Sequence, residues 1–167
     1  QFSQGDLIEE VERALLETGL APERLKLEIT ESVIMENPEA AVDLRRRLKA
    51  LGTHLCIDDF GTGYSSLSYL QHAPFDKIKI DRSFIATLTD NPNNKTYHLI
   101  HAIHALGLSL GLNVIAEGVE TPAQRDFLLA RQCRVMQGYL LSPPLPATAI
   151  TPLLRDAAAG GHAAPPG

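Results

Sequence analysis

Cys56-Ile57-Asp58-Asp59-Phe60-Gly61-Thr62-Gly63-Tyr64-Ser65-Ser66 runs from apolar residues into two adjacent carboxylates. A loop with two glycines follows, then two hydroxyl residues suited to cap a helix. The pattern is that of a strand, an acidic strand end, a loop and a helix. Adjacent aspartates repel, and leaving water raises the cost of both charges, so such a pair calls for a cation or a shared proton. A single aspartate at a strand-to-helix junction could simply cap the helix. Two of them beside a glycine loop point to a metal or catalytic site.

Working outward, the same strand-loop-helix rhythm recurs. On the N-terminal side, Asp6 and Glu9 fit a capping box, and Ile8, Val11 and Leu15 form an apolar stripe that stops at Gly19. Leu25 to Thr30 alternates with period two, placing Glu28 opposite Leu27 and Ile29. Asn37-Pro38 starts a helix whose buried side is expected to carry Val42, Leu44, Leu48 and Leu51, and Gly52 ends it. On the C-terminal side, a short helix with Leu67 and Leu70 precedes Pro74. Phe75 to Asp81 alternates again, with Ile78 and Ile80 on one face and Lys77, Lys79 and Asp81 on the other. His98, Leu99, Ile103, Leu106 and Leu110 predict a helix closed by Gly111. A strand from Leu112 to Ala116 ends in Glu117, Thr121-Pro122 starts another helix, and Val135 to Leu141 reads as the last strand. Ala157 to Gly167 is Ala, Gly and Pro with one histidine, the composition of a disordered tail.

The chain of 167 residues is 44% hydrophobic with a net charge of −5, enough material for one globular core. Its mild acidity argues against a general nucleic-acid surface, so DNA is not an expected partner. No apolar run has bilayer length and no charged-then-apolar signal opens the chain, so the segment is expected to be soluble and cytoplasmic, without membrane contact. Cys56 and Cys133 form no CxxC pair and read as buried packing residues. A first residue of Gln1, followed almost at once by a helix, suggests a piece of a longer chain.

Five strands alternating with helices predict an α/β fold with a parallel sheet. No GxGxxG follows a first strand, which gives a dinucleotide-binding fold little support. Acidic residues at successive strand ends instead suit a (β/α)₈ barrel, whose sites are built at one mouth from strand C-termini. A whole barrel takes about 250 residues, so residues 1–150 are expected to form a partial barrel of five βα units with the N-terminal strands missing. Residues 151–167 would hold the end of the last helix and the tail.

Glu28, Asp58, Asp59 and Glu117 each stand where a strand gives way to its loop. Converging at one mouth, they would offer an all-oxygen site suited to Mg²⁺ or Mn²⁺. Four carboxylates exceed what one magnesium ion needs and suggest two ions bridged by an aspartate, as in phosphodiester cleavage. Lys79, on the inward face, could steer a nucleophilic water or hold a phosphate oxygen; a structural partnership with a barrel carboxylate is an equal alternative. Lys77 is expected to face solvent. Gly61 and Gly63 alone say little, and His98, His101 and His104 drift across a helix face rather than forming a metal site.

With these residues in place, the sequence resembles the C-terminal two-thirds of an EAL domain, the bacterial family that cleaves cyclic di-GMP to a linear dinucleotide. The matching segments are Glu28-Ile29-Thr30-Glu31-Ser32, Asp58 to Ser66, Lys79-Ile80-Asp81-Arg82-Ser83-Phe84, Glu117-Gly118-Val119-Glu120-Thr121 and Gln137-Gly138-Tyr139-Leu140. The resemblance implies that Glu28, Asp58, Asp59 and Glu117 are metal ligands, that Asp58 or Asp59 bridges two Mg²⁺ or Mn²⁺ ions, and that Lys79 assists the attacking water. It also implies that Glu31 anchors the loop from Phe60 to Ser66 and that Glu120 and Gln137 lie at the substrate site. The family's Glu-Ala-Leu motif, with its metal-ligating glutamate and phosphate-holding arginine, does not occur in the chain, nor does an asparagine ligand expected just before Gln1. The isolated chain is therefore expected to be inactive in hydrolysing cyclic di-GMP to pGpG. Its open sheet edges would be covered by a missing N-terminal segment or by a second copy in a homodimer. The alternatives are a module that senses cyclic di-GMP or a protein partner without cleaving, and, more remotely, another two-metal barrel hydrolase.

Overall fold

Alternation of apolar residues fixes which side of each strand meets the helices. In the computed structural model, which describes residues 4–63, 75–89 and 94–159, the helix-facing residues Leu55, Ile57, Ile78, Ile80 and Ala116 are fully buried. Helix α1 (Gln4–Thr18) leads through a short 3-10 turn to β1 (Lys26–Thr30), α2 (Glu31–Glu36), α3 (Pro38–Ala50) and β2 (His54–Phe60). Next come β3 (Lys77–Ile80), α4 (Arg82–Ala86), α5 (Lys95–Ser109), β4 (Asn113–Ala116), α6 (Pro122–Ala130), β5 (Val135–Met136) and α7 (Ala147–Ala158). The strands lie in sequence order in one five-stranded, all-parallel sheet, the arc of a βα barrel. Among the described residues no helix is long and apolar enough to cross a membrane.

Caps place the helices. Asn37 accepts the Ala40 N–H ahead of Pro38, and Thr121 and Gln124 close a reciprocal capping box at α6. Gln124 also donates through Nε2 to the Ile85 carbonyl at 3.0 Å, tying α6 to α4. At the edge of the core, Arg131 lies 3.6 Å over the Phe127 ring and donates to the Phe127 carbonyl and the Tyr97 hydroxyl.

Several elements differ from the sequence expectation. Helix α1 already includes Asp6 in its first turn, so Asp6 is not the cap. Val42 and Leu99 are exposed; Ala41 and Arg45 take the buried side of α3, and Ile100, Ile103, His104 and Gly107 that of α5. Helices α2 and α4 were not anticipated, and the last strand spans only Val135–Met136 because the chain turns at Gln137 and Gly138. Lys77 is half-buried rather than solvent-facing, and burial together with nearby Lys26 lowers its pKa. The expected helix with Leu67 and Leu70, and the tail from 160 onward, lie outside the described residues.

At the N-terminal ends of the strands, Asp76 joins three elements. Its carboxylate accepts from Lys49 Nζ at 2.8 and 3.0 Å and from the Leu55 N–H at 2.8 Å, and His54 Nδ1 lies 3.3 Å away. Burial pushes its pKa up, but the Lys49, Leu55 and His54 contacts outweigh that and hold it below 3.8. A depressed carboxyl pKa contributes stability that is present above the unfolded value and lost as pH falls through the folded one. Asp76→Asn is expected to cost about 1–2 kcal/mol at pH 7. In urea melts at stepped pH, the wild-type advantage should shrink below about pH 4; an unchanged gap at pH 3 would refute this account.

Candidate metal and substrate site

The strands carry their inward residues to one end of the sheet. Glu28 on β1, Asp58 and Asp59 on β2, Lys79 on β3 and Glu117, just past β4, meet there. Lys79 Nζ lies 2.8 Å from Glu28 Oε2, 3.0 Å from Asp58 Oδ1 and 2.5 Å from Glu117 Oε1. Four of the residues read from the sequence thus form one cluster with a cation at its centre.

Asp59 joins them by a device the sequence pattern hides. In a regular strand, neighbouring residues point to opposite faces, so Asp58 and Asp59 could not share a site. The β2–β3 register shifts between Ile57 and Phe60, and Asp59 takes a left-handed backbone at φ 53°. A bulge of this kind re-aims a side chain. The result is that Asp58, Asp59 and Glu117 each offer a carboxylate oxygen, the three lying within 4.8 Å of one another. Hard oxygen donors at that spacing fit a divalent cation such as Mg²⁺, Mn²⁺ or Ca²⁺. Glu28 is not in that trio; its side chain is half exposed and paired with Lys79.

The electrostatics follow from this crowding. Burial lowers the Lys79 pKa, but its bonds to Glu117, Glu28 and Asp58 prevail and raise it, so the ammonium stays charged at neutral pH. Burial raises the Glu117 pKa; Lys79 opposes the shift, while Asp58 and Glu28 add to it. Asp59 is raised by burial, by repulsion from Asp58 and Asp81, and by a hydrogen bond shared with the Asp81 carboxyl. The sequence pattern places Asp81 only on the inward face of its strand; its position two after Lys79 is the signal that it belongs here. Cys56, on the same face, has its thiol pushed up to about 12 by burial and the neighbouring carboxylates, which leaves it inert at neutral pH.

Supporting residues surround the cluster. Glu31, fully buried at the start of α2, accepts the Gly61 N–H at 3.0 Å and the Gly63 N–H at 3.3 Å, on the loop after Asp59. Gln137 Nε2 donates to Glu117 Oε1. Gly138 lets this happen: a Cβ there would stand 2.2 Å from Val119 N and O, while the Val119 N–H bonds the Gln137 carbonyl at 3.1 Å. Beyond Glu117 lies a cleft of about 490 Å³ whose walls include Glu120, Gln137 and Arg82. His98 and His101 face outward and His104 packs inward, away from any shared centre.

A five-stranded barrel arc with an acidic mouth defines a βα-barrel type of site, built where the strands give way to their loops. The EAL domain family model matches residues 1–144, and the chain belongs to that family. It is 46% identical over 154 residues to the cyclic di-GMP phosphodiesterase NbdA of Pseudomonas aeruginosa, covering 92% of this chain and 19% of the relative. Among solved structures, the MucR phosphodiesterase of the same organism in complex with c-di-GMP superposes with a TM-score of 0.82 and 44% identity, over 86% of this chain and 57% of that one. A manganese and c-di-GMP complex of Klebsiella pneumoniae BlrP1 gives a TM-score of 0.74 at 31% identity, over 83% of this chain and 35% of that one. The chain spans about a fifth of the length of the curated relatives it matches.

Proposed function

We propose that this chain supplies the larger share of the active site of a metal-dependent phosphodiesterase that hydrolyses cyclic di-GMP to linear pGpG in bacterial cytoplasmic signalling. The observation that carries the reading is Lys79 held among Glu28, Asp58 and Glu117, with Asp59 turned to the same side by the bulge. The MucR and BlrP1 complexes with the same dinucleotide support the choice of substrate.

In this reading Asp58, Asp59 and Glu117, with Glu28 beside them, would hold Mg²⁺ or Mn²⁺ through carboxylate oxygens. The chemistry such ions supply when bound is a more acidic water and neutralised charge on the scissile phosphate. Lys79, kept protonated by its neighbours, serves as a hydrogen-bond donor and fixed positive charge beside the attacked phosphate rather than as a general base. Gln137 orients Glu117 through its amide, and Glu31 fixes the backbone that follows Asp59. Glu120 faces the adjoining cleft, where the rest of the dinucleotide would lie.

The test is calorimetric titration and product analysis with cyclic di-GMP in Mn²⁺, beside Glu117→Ala. Wild-type binding should weaken by at least about 100-fold in the variant, as expected for loss of a direct metal ligand. Linear pGpG from the wild type alone makes the segment a sufficient catalytic unit; binding without product makes it a contributing part or a sensor. Absence of any binding by the wild type would overturn the proposal.

A further inference from the structure

Glu117 opens a turn, running to Thr121, whose backbone is held from three sides. The Glu117 N–H donates to the Ile80 carbonyl of β3 at 3.2 Å, and the Val119 N–H to the Gln137 carbonyl at 3.1 Å. Gly118, at φ 69°, bends the chain between them and lies against the start of α4, where a Cβ on it would stand 2.7 Å from Arg82 Cβ. The third hold is a single side chain. Gln124 Oε1 accepts the Glu120 N–H at 2.8 Å and the Thr121 N–H at 3.0 Å, while its Nε2 donates to the Ile85 carbonyl of α4 at 3.0 Å.

The two ends of that amide have separate consequences. Its oxygen completes the capping box of α6, a role that glutamate fills as well as glutamine. Its nitrogen makes a bond that no capping box requires, across to an element 39 residues earlier in the chain. Among side chains of this length only an amide can accept from one segment and donate to another in this way. The Ile85 side chain is fully buried, so the carbonyl that receives the bond is anchored. Helix α4 in turn follows β3, the strand that carries Lys79, with only Asp81 between them.

We infer that Gln124 is a positioning residue for the metal site: by tying the Glu117 turn to α4, it sets where the Glu117 carboxylate stands relative to Asp58, Asp59 and Lys79. The inference rests on the metal reading above and extends it to a helix residue outside the strand mouth. Ligand groups must be held to within about 0.5 Å of their productive geometry. Loss of a group that orients a ligand weakens metal binding by about 10- to 100-fold.

The test separates the two ends of the amide. Gln124→Glu keeps the oxygen that caps α6 and sets a second oxygen, in place of the donor, against the Ile85 carbonyl. Thr121→Ala does the reverse: it removes the hydroxyl that accepts the Gln124 N–H at 3.2 Å and leaves the tie to Ile85. Mn²⁺ alone is titrated calorimetrically into the 167-residue chain and each variant. Melting temperature and amide exchange at Glu120 and Thr121 are followed in metal-free buffer. Gln124→Glu should weaken Mn²⁺ binding by about 10-fold or more while both amides stay protected. The added negative charge would by itself favour a cation, so a loss reports position rather than charge. Thr121→Ala should lower the melting temperature, as loss of a cap does, with Mn²⁺ affinity unchanged. If Gln124→Glu keeps the wild-type Mn²⁺ affinity, or Thr121→Ala loses as much of it, Gln124 only stabilises α6 and the inference fails alone. If the wild type binds no Mn²⁺, the metal reading fails and the inference with it.

Discussion

Lys79→Met is expected to lose about 2–4 kcal/mol of stability at pH 8 in metal-free buffer, because removing one partner from a buried charge cluster strands the others. Lys79 is 5% exposed, and it neutralises Asp58 and Glu117, whose side chains are 21% and 13% exposed. Glu28, at 49%, is solvated well enough to add little. The pH dependence separates this account from simple loss of packing. In the wild type, the raised Lys79 pKa gives stability that is complete below the ordinary lysine value of 10.5 and lost as pH rises above it. In the variant that alkaline loss should vanish. Its stability should instead recover as pH falls, because Glu117, already raised by burial, loses the cation that opposed the shift. Urea unfolding of both proteins from pH 5 to 11 reads this directly, and parallel curves would refute it. Added Mn²⁺ should stabilise the variant more than the wild type, since it offers the stranded carboxylates a new counter-charge. If the chain turns over cyclic di-GMP, the variant's rate should fall by about 10²- to 10³-fold, as for loss of a donor to developing charge.

Gly138→Ala should cost about 3 kcal/mol or more, at the upper end of overpacking effects. The added methyl would meet Val119 N and O at 2.2 Å and Val119 C at 2.7 Å. These are backbone atoms, and the Val119 carbonyl also accepts the Leu140 N–H at 3.0 Å, so neither side can give way without breaking that bond. Relief by moving the chain at 137–138 would withdraw Gln137 from Glu117, and Mn²⁺ affinity should drop with stability. A midpoint shift in urea worth less than 1 kcal/mol would show that the close approach is soft.

The sheet was legible because its period-two segments each held two or more apolar residues against the helices, as Leu27 and Ile29 or Ile78 and Ile80 do. The acidic cluster was legible for the same reason: once one face is apolar, Glu28, Asp58 and Lys79 must point the other way. Asp59 was not legible in geometry, since alternation sends it away from Asp58 and only the bulge returns it. Helix α2 was hidden because it starts directly from β1 with no turn residue between Thr30 and Glu31, and α4, at five residues, is too short to show a period. Sequence spacing places Gln137 in an overextended strand because Tyr139 and Leu140 continue a β-compatible composition past Gly138, while the turn there answers to contact with Val119. Val42 and Leu99 show the limit of apolar spacing, which does not choose between adjacent faces of a helix.

The order of the strands divides the site into two halves of unequal permanence. β2 and β3 are bonded to a neighbour on both sides, whereas β1 and β5 are bonded on one side among the described residues, β5 through only two residue pairs. Local unfolding starts where backbone pairing is sparsest. Asp58, Asp59 and Lys79 therefore belong to the last part of the sheet to open, and Gln137, beyond the short outer strand, to the first. Brief excursions that release Gln137 from Glu117 would loosen that side of the mouth while the inner carboxylates stay assembled, so the rim can open without dismantling the charge cluster.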